Sequence, residues 1–151
     1  MSEKSNTDDQ LSAALRAADV VVSYAPLPDE PDAEAFLFQH DFAGEIVRTP
    51  QDKNSSPHEF AENLVREHGE KKVCILVPGS KFDEHGTRHG RGGGWYDRFL
   101  SALPIGWLKV GVALPHHVSL EKLERKEWDQ PMDYVLVCDK DFKVVVPENR
   151  R

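Results

Sequence analysis

Cysteine is scarce in this chain of 151 residues: there are two, Cys74 and Cys138, and no C-x-x-C spacing. That excludes a disulfide scaffold and a thiolate zinc site of the usual pattern. Both cysteines fall in apolar runs, where a free thiol behaves as a small hydrophobe, so both are expected buried and unpaired. Long apolar stretches are missing as well. No run approaches the ~20 residues that span a bilayer, and the opening MSEKSNTDD lacks the basic and apolar regions of a secretory leader. The expectation is a cytoplasmic protein with no membrane partner. Cations are the minority charge, 19 Lys and Arg against 26 Asp and Glu for a net charge of −7, which argues against a nucleic-acid partner. Repeats and low-complexity tracts are absent, and the length suits one core rather than two. We expect one domain over residues 1–151, with disordered tails at 1–7 and 147–151.

What is present alternates between two periodicities. Helices are expected at Asp8–Ala18, Asp32–His40 and Pro57–His68, the last capped by Ser56 or Ser55 with Pro57 in its first position. A further helix starts at Trp95, where Trp95, Phe99, Ala102 and Leu103 share one face, and another is expected at Leu120–Trp128. Strands are expected at Val20–Tyr24, Lys72–Val77, Leu108–Leu114, Tyr134–Cys138 and Phe142–Val146. The KVCILV run is continuously apolar, as in a central parallel strand covered on both faces. Asp139–Asp141 is short enough to join the last two strands as a hairpin. This order predicts an α/β fold of three layers, a mostly parallel sheet with helices on both faces.

Between the central strand and the Trp95 helix lies the densest chemistry. Gly90, Gly92, Gly93 and Gly94 each cost roughly 0.5–1 kcal/mol of backbone entropy relative to alanine, a cost a plain surface turn has no need to carry. Glycines let several N–H groups approach one anion, and the start of a helix adds donors. Arg88, Arg91 and Arg98 against Asp97 give a local positive excess, and the guanidinium fork matches phosphate oxygens. The order is not that of a Walker loop, and it lacks the acidic partner of a dinucleotide fingerprint. A different phosphate loop is implied.

The stretch from Leu76 to Phe99, LVPGSKFDEHGTRHGRGGGWYDRF, resembles the signature of the 5-formyltetrahydrofolate cyclo-ligase family, also called 5,10-methenyltetrahydrofolate synthetases. Val77, Pro78, Gly79, Phe82, Asp83, Gly86, Arg88, Gly90, Gly92, Gly93, Gly94, Tyr96, Asp97 and Arg98 match the pattern VPG, Phe-Asp, Gly, R-x-G-x-G-G-G-x-Y-D-R. Ser23–Asp32 resembles the family's first strand and acidic turn, and Trp128–Val137 its His-Asp-x-x-x-Asp element, with Trp128 where the family has histidine. A middle segment with its own strand is compressed into residues 36–50.

The resemblance implies a Rossmann-type three-layer fold and an ATP- and Mg²⁺-dependent ligase of folate and one-carbon metabolism. It implies that 5-formyltetrahydrofolate is cyclised to 5,10-methenyltetrahydrofolate. Arg88, Tyr96 and Asp97 are the implied catalytic residues. Gly90, Arg91, Gly92, Gly93, Gly94, Trp95 and Arg98 would hold the nucleotide. Glu30 and Tyr96 would hold the folate, and Asp97 with Asp133 the metal, Asp129 being a further carboxylate in the same motif. From the residues alone, Glu30 also reads as a solvated turn carboxylate, Asp97 as a first-turn helix charge and Asp133 as a cap where a strand begins. His85, His89, His116 and His117 fit no zinc spacing, and Trp107 reads as packing. A second reading stays open: a non-catalytic relative that keeps the fold and binds a nucleotide or a protein partner.

Overall fold

The computed structural model describes residues 3–52, 54–91 and 94–147. Its centre is a six-stranded sheet in the order β2-β1-β3-β6-β7-β8. The strands are β1 (Val20–Ser23), β2 (Glu45–Arg48), β3 (Val73–Pro78), β6 (Leu108–Ala113), β7 (Tyr134–Cys138) and β8 (Phe142–Val145). All pairs are parallel except β7 with β8, the expected hairpin. A separate two-stranded ribbon, β4 (Lys81–Phe82) with β5 (Arg88–His89), lies within the glycine-rich connection.

Period-two alternation sorts the strand side chains to two faces, and each face has its own helices. Val21, Cys74, Leu76, Val110, Val112 and Leu136 meet Leu11 and Leu15 of α1 (Glu3–Ala17) and Phe36 and Leu37 of α2 (Glu34–Gln39). Val20, Val22, Ile75, Val77 and Val135 meet Ala61 and Leu64 of α3 (Pro57–His68) and Phe99 and Leu100 of α4 (Trp95–Ser101). Three layers result, as the sequence predicts. Every residue of β3 is buried, and both thiols are buried and free, pushed up by burial to about 12.

Local chemistry fixes several boundaries. α3 spans the predicted residues, with the Ser56 side chain accepting from Glu59 N–H and Pro57 at the first position. α1 starts at Glu3 rather than Asp8, so residues 3–7, read as a tail, are helical. α4 stops at Ser101, short of Leu103. The predicted helix at Leu120–Trp128 is irregular; a short 3₁₀ turn at Pro115–His117 precedes it. β2, β4 and β5 were not foreseen as strands from residue pattern. No helix among the described residues is long and apolar enough to cross a membrane.

Candidate functional site

From β1 the chain moves outward to β2 and then returns to the other side for β3, so the sheet order reverses between β1 and β3. In open parallel sheets the crevice beyond the carboxyl ends at such a point is where ligands bind. A cavity of about 920 Å³ opens there, lined by Tyr24 and Thr49 just past β1 and β2 and by Pro78 and Gly79 at the end of β3. Glu30, Arg88, Gly90, Arg91, Gly94, Trp95, Tyr96, Asp97 and Arg98 all line it, as does Asp129. Residues from five separate stretches of sequence thus converge. Gly92 and Gly93 lie outside the described residues. A shallower groove of about 500 Å³ at the amino end of β3 and β6 holds none of these groups.

Arg88 is the buried cation of the cavity, 6% exposed. Its Nε donates to Pro78 O at 2.7 Å, its Nη1 stands 3.9 Å from Asp97 Oδ1, and its guanidinium lies 5.1 Å from the Tyr96 ring centroid. Burial pulls its pKa down, and Asp97 and Tyr96 oppose that shift. A side chain at Gly90 would begin 3.2 Å from Arg88 Nη2, so glycine there leaves room for the guanidinium. The Tyr96 hydroxyl lies 3.1 Å from Thr49 Oγ1, and burial pushes its pKa up to about 12, so the phenol stays protonated.

Arg91 joins the loop to the acidic turn after β1. Its Nη2 is 2.9 Å from Asp29 Oδ2, and its Nε donates to Glu30 Oε2 at 3.1 Å. Glu30 also accepts from Leu27 N–H at 2.9 Å, so its carboxylate is held by its own turn. The hydrogen bond to Arg91 holds the Asp29 carboxyl below the usual range. Arg98 Nε donates back to Gly94 O at 3.2 Å, which leaves its guanidinium along the cavity edge. Trp95 donates to Ser55 O at 3.0 Å and packs against Phe60 and Phe99, so it fastens α4 to α3 while lining the cavity. Gly94 caps α4 with φ of 67°, a left-handed conformation that favours glycine. α4 has only seven residues, so the glycine loop and arginines, more than the helix start, carry the anion-binding reading.

The two aspartates expected at a metal separate. Burial raises the Asp97 carboxyl above its ordinary 3.8 and Asp129 adds to the rise, while Arg88 and the Gln130 N–H, 3.4 Å from Asp97 Oδ1, pull it down. Asp133 corrects the expectation. Its Oδ2 accepts from Lys109 N–H at 2.8 Å and its own N–H donates to Lys109 O at 2.7 Å. It fastens the starts of β6 and β7, at the sheet end opposite the cavity, and is not placed to share an ion with Asp97. Asp129 lines the cavity instead. Asp97 and Asp129 both line the cavity, and one or two carboxylates are what a Mg²⁺ arriving with a nucleotide would take beside phosphates and water. No group of three His, Cys, Asp or Glu suited to a metal occurs among the described residues.

One wall escaped sequence reasoning. Residues 119–130 cross the β4–β5 ribbon as a strap and bring Glu124, Lys126 and Trp128 into the cavity lining. Asp83, 1% exposed, holds this strap: Oδ1 accepts from His85 and Thr87 N–H and Oδ2 from Leu123 N–H. The Phe-Asp pair within the glycine-loop pattern was the available signal for it.

Comparisons with known proteins bear on the family and the fold. A model of the 5-formyltetrahydrofolate cyclo-ligase family matches residues 57–138, more than half of the chain. The 5-formyltetrahydrofolate cyclo-ligases of Escherichia coli K12 and O157:H7 are each 37% identical over 73 residues, which is 44% of this chain and 36% of theirs. The match therefore spans about a third of the length of those relatives. A 5,10-methenyltetrahydrofolate synthetase from Mycoplasma pneumoniae superposes with a TM-score of 0.56 at 21% identity, over 88% of this chain and 85% of that one. The corresponding synthetase of Aquifex aeolicus gives 0.55 at 23%, over 91% and 81%. These two likenesses establish a shared fold. By the family match, this chain belongs to the 5-formyltetrahydrofolate cyclo-ligase family.

Proposed function

We propose that this chain is a cytoplasmic ATP-dependent ligase that cyclises 5-formyltetrahydrofolate to 5,10-methenyltetrahydrofolate. The observation that carries this reading is the convergence, in one cavity, of a wall that supplies cations with a wall that supplies none of its own and is joined to the first through Arg91, paired with Asp29 and Glu30. Arg88, Arg91, Arg98, Asp97 and Asp129 come from the loop, α4 and the strap, and Tyr24, Pro26, Leu27, Glu30 and Thr49 from the ends of β1 and β2. One wall suits a polyphosphate and the other a flat, mostly apolar ring with a few polar edges.

A formamide oxygen is a poor leaving group. In the proposed reaction it takes the γ-phosphoryl of ATP, and ADP departs. N10 then attacks the formyl carbon, loses its proton and expels phosphate, which closes the ring. The protein has little covalent work, so positioning and electrostatics dominate. Arg88 is fixed by Pro78 O beneath the cavity floor, where low dielectric strengthens its pull on phosphoryl oxygens. Arg98 and Lys126 lie along the rim for the remaining phosphate charge. Mg²⁺, held by Asp97 and Asp129, would neutralise charge on the phosphates. Glu30, held by Leu27 N–H on one oxygen and Arg91 on the other, would offer its remaining lone pairs to the pterin N–H groups. Tyr96, neutral and tied to Thr49, stands where the two walls meet.

The testing experiment mixes the purified chain with Mg-ATP and 5-formyltetrahydrofolate and follows near-ultraviolet absorbance of the methenyl product. Growth that needs both substrates supports the proposal. ATP binding without turnover supports the second reading, a non-catalytic nucleotide-binding relative. Absence of both sinks the ligase and the nucleotide-binding readings and leaves only the fold.

A further inference from the structure

Trp128 is the one tryptophan whose position packing does not explain. Trp107 is 4% exposed in the core, and Trp95 is bonded to Ser55 and packed among Phe60, Tyr96 and Phe99. Trp128 is 64% exposed, lines the cavity, and among the described residues no ring stacks on it. An indole left bare in water forgoes the burial that makes aromatic rings strong contributors to packing. The strap that carries it is not a loose loop. Leu123 N–H reaches Asp83 Oδ2 at 2.8 Å, His89 Nε2–H reaches Glu124 O at 2.7 Å, and Arg125 Nη2 reaches Thr87 Oγ1 at 2.9 Å. Lys126 N–H reaches Asp129 Oδ2 at 2.8 Å, and Met132 N–H reaches Gly86 O at 2.8 Å. The indole is therefore held out into the cavity by a bonded backbone on both sides.

Which flat group it meets follows from the wall it belongs to. Trp128 adjoins Asp129 in the chain and shares its wall with Lys126, Arg88 and Arg98, where a polyphosphate finds its cations. The facing wall, from Tyr24 to Glu30 and Thr49 to Asp52, contributes no cation of its own, and the Arg91 that reaches it is paired with Asp29 and Glu30. The ring attached to a nucleotide's phosphates is its base, one ribose away from them, so it falls beside that charged wall. Resting on the nucleotide reading above, we propose that Trp128 is the stacking platform for the nucleobase, and so the residue by which this site prefers a purine nucleotide to a bare polyphosphate. Stacking tolerates changes in the base edge, so adenine and guanine nucleotides bind alike and pyrimidine nucleotides bind more weakly.

The test compares calorimetric titrations of Mg²⁺ with adenylyl-imidodiphosphate and of Mg²⁺ with inorganic tripolyphosphate on wild type, Trp128→Ala and Trp128→Phe. The expected result is a loss of nucleotide affinity in Trp128→Ala of about 5- to 150-fold, the range of one base–aromatic stack. Tripolyphosphate affinity stays unchanged, and Trp128→Phe keeps most of the nucleotide affinity. Equal losses for both ligands would overturn the proposal, as would unchanged nucleotide affinity with weakened 5-formyltetrahydrofolate binding. Wild type that binds neither anion overturns the nucleotide reading itself, an outcome distinct from a silent Trp128→Ala in a protein that binds both.

Discussion

Asp97 and Asp133 are both short carboxylates at the start of an element, yet their surroundings give them different work. Asp133 satisfies a backbone N–H of β6 and so completes the sheet. Asp97 sits where burial raises its pKa above 3.8 in spite of Arg88, a place that disfavours its charge until a cation arrives. The folded protein therefore holds this proton more tightly than the unfolded chain. Stability from this group is full below 3.8 and falls as pH rises through the raised value. Asp97→Asn removes that decline, so its stability relative to wild type should improve as pH rises through the window, while turnover collapses. Denaturant melts across pH, alongside kcat over a Mg²⁺ titration, read both effects. An active variant with unaltered Mg²⁺ dependence would remove Asp97 from the site. Gly94 offers a second check: its φ is 67° and a Cβ there meets nothing within 4 Å. Gly94→Ala should cost about 1–2 kcal/mol through backbone strain alone, measured by urea unfolding. A neutral result would mean the loop takes another conformation.

The strap of residues 119–130 is the element in which sequence and structure part most. A helix is expected at Leu120–Trp128, but the segment is irregular and Leu120 is 95% exposed. Asp83 and the ribbon edges capture the amides and carbonyls that a helix needs for itself, with Ser119 N–H on Phe82 O and Leu123 N–H on Asp83. Those partners lie roughly 40 residues away in the chain, beyond any local periodicity. β2 escaped notice for a similar reason: EIVR is four residues long, exposed at both ends, and becomes a strand only by pairing with Val20–Ser23. α3, β3 and β7 were legible because cap, proline and apolar run all lie within them. Asp83→Ala leaves three backbone donors without their carboxylate and should cost roughly 3 kcal/mol or more, since each hydrogen bond to a charged group contributes about 1.5–3 kcal/mol. Limited proteolysis should then cut within 119–130 before elsewhere. Unchanged stability and cleavage would show that Asp83 does not anchor the strap.

For the whole molecule, the alternation of helix and strand predicted three layers, and the reversal of strand order between β1 and β3 placed the cavity where Glu30 and the glycine loop meet. That Arg88, Tyr96 and Asp97 lie close together was legible because one long, specific pattern contains them, and all three line the cavity. Asp133 was misread because that pattern says which carboxylates recur and not which end of the sheet they face. In the proposed function, this one cavity couples phosphoryl transfer to ring closure. That coupling is tested most directly by measuring, in one reaction, phosphate released and methenyltetrahydrofolate formed by the full chain. One phosphate per methenyl product is expected, with neither formed when either substrate is left out. Phosphate release without methenyl product, or methenyl formation at an enzyme-dependent rate without ATP, would contradict it.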